Sequence, residues 1–350
     1  MIAATVSCKL TARVGTGRRG RFSFGQGNKH DRRKESRVLT IQSDLRSFRR
    51  LRFSCDSRFL SITDGDTPNG EEGYEIWHVP PESRPTYRAS KTVLRGMEWH
   101  PTKAELYVPH DLVLDIVDPD GNLLQTLPDM GWVEGVVFSS MGEWLVTYSP
   151  FHLRALQRKK DQWHQIWAVE HSTEQLSPSD SNSFVASFPD SRRLIALVGR
   201  RFLSPHINWT HLFVQRDMTT GAVLAERPLA MKESPVGVRN RLAVAPDGMA
   251  VVGFRGRSVY VWPTDAAPGT RKTTVAKKDL WDVALHPSGR WVATVCNNSE
   301  VSICDLNAGK VVQVFDWGIK NLQCVTFSPD GSLAAAGGAN GEVAVWDWDL

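Results

Sequence analysis

A short turn returns seven times along this chain. It reads "FSCDSRF" from Phe53, "WHPTKAE" from Trp99, "FSSMGEW" from Phe138, "SFPDSRR" from Ser187, "VAPDGMA" from Val244, "LHPSGRW" from Leu285 and "FSPDGSL" from Phe327. Between equivalent positions the steps are 46, 39, 49, 57, 41 and 42 residues. A repeat of that length means stacked units, and about 40 to 45 residues is the length of four short strands. Pro fixes φ in several of these turns and Asp, Ser or Gly completes them, while Val, Leu, Phe and Trp alternate on either side as strands do. No stretch of 12 residues carries convincing helical periodicity. Four short strands cannot cover their own faces, so the units must stack, and the 13 Trp and 14 Phe suit the layer between them.

The last unit, "LQCVTFSPDGSLAAAGGANGEVAVWDWDL", resembles the repeat of the WD-repeat β-propellers almost end to end, with Trp346-Asp347 as the name-giving dipeptide. The sixth is similar with Cys304-Asp305 in that place, and the fifth keeps Trp262 with Pro263 after it. Trp77, Val117-Asp118 and Arg216-Asp217 mark weaker counterparts. The resemblance covers residues 36–350. It implies an all-β fold: one seven-bladed propeller of four-stranded antiparallel blades, monomeric, acting without catalysis as a protein-interaction scaffold with a protein or peptide partner on a rim. No unit holds the full Asp, His, Ser and Trp network common in that family, so these blades are expected to rely on packing.

The seventh unit stops after its third strand. Asn340-Gly341 reads as a two-residue hairpin turn because both positions accept φ > 0, and the strand after it needs a neighbour. In propellers of this kind the first strand of the chain completes the last blade. That assigns "SRVLTIQSDL", residues 36–45, to pair with residues 342–348 and close the ring.

Charge divides the chain. The first 52 residues hold 14 Lys and Arg against Asp31, Glu35 and Asp44, a net of +11, so with +4 overall the rest carries 4 − 11 = −7. Residues 1–35, rich in Gly and Arg and without periodicity, read as a disordered basic tail. Its charge supports an alternative function, nucleic-acid association through phosphate contacts. No apolar run approaches the roughly 18 to 20 residues of a membrane span, and a cytoplasmic location is expected. Five cysteines without CxxC spacing suit reduced thiols.

Catalytic motifs are absent. "GTGRRG" at 15–20 fits GxGxxG, but no strand precedes it and no helix follows. His100 and His286 each precede a turn Pro, which makes them repeat-position residues and not metal ligands. No GxSxG occurs. The reading is no enzyme, no cofactor and no metal.

Recognition therefore falls to the rims, where loops stand on a rigid scaffold. Two loops between second and third strands are enlarged, "DGDTPNGEEG" (64–73) and "GRRFLSPHINWT" (199–210), and the second carries Arg200, Arg201, Phe202 and Trp209. Trp and Arg dominate interface hot spots. Counting four residues back from the start of each turn gives Arg49, Arg95, Glu134, Ser183, Asn240, Trp281 and Gln323, a column expected at the channel mouth. The candidate partner-binding patch is Trp281 with Asp282, joined by Arg200, Arg201, Phe202 and Trp209, with Arg49, Arg95, Glu134, Asn240 and Gln323 around the mouth. The competing reading packs Trp281 between blades.

Overall fold

The computed structural model describes residues 38–45, 48–64, 73–79, 84–90, 96–110, 112–149, 152–170, 184–202, 208–229, 242–264 and 269–348. The expected tail, 1–35, lies outside them. The described strands form seven four-stranded antiparallel sheets, the seven blades of a β-propeller. Their inner strands are Phe48–Phe53, Glu98–Trp99, Gly135–Phe138, Phe184–Ser187, Ala243–Val244, Leu280–Leu285 and Leu322–Phe327, for blades 1 to 7 in turn. Blades 1 to 6 each run outward through four consecutive strands. Each inner strand neighbours the next blade, and blade 7 returns to blade 1.

The recurring turn has a conformational cause. Six of the seven place a left-handed residue at the same point: Ser57 (φ 60°), Gly142 (74°), Ser191 (58°), Gly248 (70°), Gly289 (73°) and Gly331 (73°). In each, that residue's N–H bonds the carbonyl three residues back, as Gly331 does to Ser328 at 2.9 Å. Glycine has no steric penalty there, which is why the turn so often ends in it. In two joints a histidine of the preceding blade also caps the glycine. Thr102 N donates to Nδ1 of His100 (3.2 Å), so the proton sits on Nε2, which donates to the Gly142 carbonyl across the joint at 3.1 Å. His286 repeats the arrangement with Ser288 and Gly331. Both are repeat-position residues, as their place before the turn Pro implies.

Ring closure follows the expected pairing. Val38–Gln42 is the outer strand of blade 7, with Val38 opposite Trp346 and Gln42 opposite Glu342. Asn340 and Gly341 both have positive φ, 75° and 82°. Gln42 Nε2 donates to the Asn340 carbonyl, and Ser43 N to that of Gly341, each at 2.8 Å. A Cβ on Gly341 would lie 2.2 Å from the Ser43 carbonyl, so glycine is required twice over. Beyond this strand the chain is locked to blade 1: Ser43 Oγ donates to Glu75 Oε2 (2.7 Å), Trp77 Nε1 donates to the same oxygen (2.8 Å), and Arg88 bridges Glu75 and Asp44. Glu75 is 1% exposed.

Candidate functional site

In an antiparallel blade, the starts of the first and third strands and the ends of the second and fourth lie at one rim. Loops between second and third strands, and the connections entering each inner strand, therefore share that rim. The column expected at the channel mouth falls on it.

Three members of the column are bulged residues. Arg49 lies between Phe48 and Arg50, Trp281 between Leu280 and Asp282, and Gln323 between Leu322 and Cys324, each with no opposite partner in its ladder. A bulge re-aims the chain and changes which side chains point inward. It explains why Phe48 and Leu51, Leu280 and Val283, and Leu322 and Val325 are all buried at a spacing of three where an unbroken strand would alternate by two. Because blades 6, 7 and 1 are consecutive, the fold brings Trp281, Gln323 and Arg49 to neighbouring positions.

Trp281 is half-buried and lies outside the core clusters of its own and the following blade. Asp282 is 2% exposed, and its carboxylate accepts the Val325 N–H of blade 7 at 2.9 Å. It belongs to the joint between two blades and not to an exposed patch, which corrects the sequence expectation. Glu134 is half-buried, its N–H bonded to the Tyr148 carbonyl at 2.8 Å. Arg95, Ser183 and Asn240 lie outside the described residues.

The stretch 199–210 is not a wide loop. The second strand of blade 4 is Arg193–Phe202 and the third is Asn208–Asp217, with Arg200 opposite Thr210, Arg201 opposite Trp209 and Phe202 opposite Asn208. Regular pairing carries the hairpin to ten residues a side, beyond the six of its counterparts in blade 7. Blade 5 stands between this hairpin and Trp281, so the two do not meet as one patch on adjacent blades. The other stretch, 65–72, lies outside the described residues.

Sequence reasoning missed the residue this rim exposes most plainly. Trp132, in the connection entering blade 3, is 51% exposed, and Leu112, between the second and third strands of blade 2, is 60% exposed. The Met130 N–H bonds the Leu112 carbonyl (2.8 Å), tying the two segments together, and Arg154 Nη1 donates to the Asp129 carbonyl (2.8 Å). Gly131 at φ 68° makes the tight bend before the tryptophan. The signal was available: "MGW" sits two residues before the column member Glu134. Among the described residues no three His, Cys, Asp or Glu side chains are grouped to hold a metal, and no helix is long and apolar enough to cross a membrane.

The WD domain, G-beta repeat, matches residues 309–347. The chain is a seven-bladed β-propeller whose residues 309–347 match one WD repeat. The chain is 27% identical over 106 residues to Protein groucho of Drosophila melanogaster, an alignment covering 29% of this chain and 14% of the relative. It is 26% identical over 101 residues to the human serine-threonine kinase receptor-associated protein, 29% of each chain. It is 27% identical over 123 residues to the nuclear distribution protein PAC1 of Yarrowia lipolytica, 33% of this chain and 28% of that one. The alignments thus span under a third of each relative. Two solved structures share the fold: the β-propeller domain of Myceliophteria thermophila Cps50 (Swd1), with TM-score 0.65, 14% identity, and 90% of this chain and 100% of that one covered, and Kuenenia stuttgartiensis hydrazine synthase, with TM-score 0.64, 14% identity, and 92% and 100% covered. At that identity the likeness is one of fold, and the second neighbour's activity does not transfer.

Proposed function

We propose that this propeller is a non-catalytic scaffold that captures a protein or peptide on the rim carrying Trp132 and the bulged starts of the inner strands. The observation that carries the reading is the exposed pair Trp132 and Leu112, fixed by backbone hydrogen bonds to a rigid ring. An exposed tryptophan two residues from the segment bonded to Leu112, with Arg154 bonded to the same segment, offers apolar area and a cation at low ordering cost, the mixture that interface centres use. Related WD-repeat propellers are generally interaction scaffolds, and the matched relatives include a receptor-associated protein.

The test is affinity capture from native cells with the full chain, with Trp132→Ala and with Trp281→Ala. The expected result is at least about tenfold weaker capture of the same partner by Trp132→Ala, with a melting temperature close to that of the parent, since exposed substitutions usually change stability by less than about 0.5 kcal/mol. Unchanged capture by both variants overturns the reading. Loss with Trp281→Ala alone moves the contact to the bulged column, and a stability loss near 3 kcal/mol in that variant would mark Trp281 as core.

A further inference from the structure

The central channel holds a cavity of about 420 Å³ with two unlike walls. Blade 1 supplies a cationic wall. Along its inner strand Leu51 and Phe53 enter the core, and the alternating Arg50 and Arg52 line the channel. Arg52 Nε donates to Glu98 of blade 2 at 2.9 Å. Burial alone would weaken the charged form of Arg52, and Glu98, with smaller contributions from Asp282 and Tyr148, more than offsets this and holds the guanidinium above its ordinary pKa. Arg50 forms no ion pair among the described residues. Arg52 is thus balanced by Glu98 and Asp282, whereas Arg50 presents a guanidinium without an ion-pair partner among the described residues to a low-dielectric channel that concentrates its field. Across the channel, blades 3 to 5 contribute Val137, Phe184 and Val244. Tyr148 also lines the cavity, and its hydroxyl has no hydrogen-bond partner among the described residues.

We propose that this channel is a binding site for a monoanion with an apolar body, its carboxylate held by Arg50 and the Tyr148 hydroxyl and its body laid against Val137, Phe184 and Val244. A planar guanidinium matches a carboxylate in bidentate geometry, which an ammonium does not. The volume lies within the roughly 300 to 1,000 Å³ of ordinary small-molecule sites, and its lining combines polar groups with the apolar side chains of blades 3 to 5. The anion comes either from a free small molecule or from the C-terminus of a peptide. The site is separate from the Trp132 rim, and its occupancy does not depend on rim capture.

Isothermal titration of the full chain tests it with four probes: 4-phenylbutyrate, its neutral amide, acetate, and a tetrapeptide ending in a free Phe carboxylate. The expected order is phenylbutyrate or peptide first, with the amide and acetate each at least tenfold weaker. Tighter binding of the peptide assigns the anion to a chain end, and equal binding assigns it to a free molecule; both support the site. Arg50→Gln should weaken phenylbutyrate at least tenfold, with partial recovery in Arg50→Lys. Should Arg50→Gln fold poorly, Val137→Glu reads the same point, since an acid on the apolar wall repels the probe. Equal affinity for acid and amide, undiminished binding in both variants, or no heat at about 10 mM probe overturns the proposal.

Discussion

Trp77 and Trp346 occupy the same place, the fifth residue of the third strand, in blades 1 and 7. Both are buried, at 7% and 1% exposure. Trp77 donates its indole N–H to Glu75, which also takes the Ser43 hydroxyl and the Arg88 guanidinium. Trp346 finds no acceptor for its N–H among the described residues and lies instead against Phe315 and Trp317, with ring centres 5.7 and 5.5 Å away. The blade that best keeps the family's sequence pattern is thus held by packing at this point, and the degenerate blade by a buried carboxylate. The degenerate side must do more: it anchors Ser43 and Asp44, the residues that follow the closing strand of blade 7. A joint that only stacks two complete sheets can be dry, whereas one that holds a segment distant in sequence gains specificity from groups that fit one register.

Four measurements would break or sharpen that contrast. The largest effect belongs to truncation. Removing residues 1–46 takes away the outer strand of blade 7 with Ile41 and Leu45, uncovers the edge of Glu342–Asp347, and should lower the melting temperature by at least about 10 °C, given about 2 to 5 kcal/mol for each large buried aliphatic side chain. Removing 1–34 should leave it unchanged, and equal melting of the two would sink the closure argument. Next comes Glu75→Ala, which strands the Ser43 hydroxyl and the Trp77 N–H without their acceptor; a loss of about 3 kcal/mol by urea unfolding is expected, smaller than for a fully buried ion pair because Arg88 can turn to solvent. The paired substitutions Trp77→Phe and Trp346→Phe remove the same volume but only one used donor. Trp77→Phe should cost about 1 to 2 kcal/mol more, and equal losses would show that Glu75 contributes nothing through the indole.

The smallest effect is on pH. Burial lowers the His100 pKa, with Glu105 opposing and Arg158 and Lys103 assisting more weakly. A histidine whose pKa is depressed in the folded state is neutral there while the unfolded chain binds a proton. Its contribution is complete above about pH 6.5 and is lost as pH falls through the lowered folded value. The stability gap between the parent and His100→Gln should therefore be wider at pH 7.5 than at pH 5. A constant gap would place the joint's strength in ring packing against Phe138 alone.

Much of this was legible beforehand, and the limits have physical causes. The turn repeat showed itself because a left-handed residue after Pro-Asp or Pro-Ser favours glycine, and closure because the strand Glu342–Asp347 needs a neighbour on its outer edge. The role of Glu75 did not show. In "GYEIWH" alternation assigns the acid to the face opposite Tyr74 and Ile76, but stacked blades cover both faces, so alternation no longer separates core from solvent. Trp132 was missed because it sits in a connection, where no period assigns it a side. The stretch 199–210 was read as an enlarged loop, whereas Arg200, Arg201 and Phe202 pair regularly with Thr210, Trp209 and Asn208. The column at the mouth was found by counting, yet counting could not say that Asp282 turns inward, since that follows from the bulge at Trp281.

The pairing of Gln42 with the Asn340 turn spans 298 positions of chain. During synthesis at about 5 to 20 residues per second, the first of these segments waits roughly 15 to 60 s for its partner to be made. Blades 1 to 6 can stack progressively in that interval through contacts between neighbours, each adding a face for the next. The edge that the last blade will fill stays open throughout, so the nascent chain is most prone to pairing with a second copy just before it is complete. Ring closure is then both the slowest contact to form, by loop length, and the one that ends this exposure.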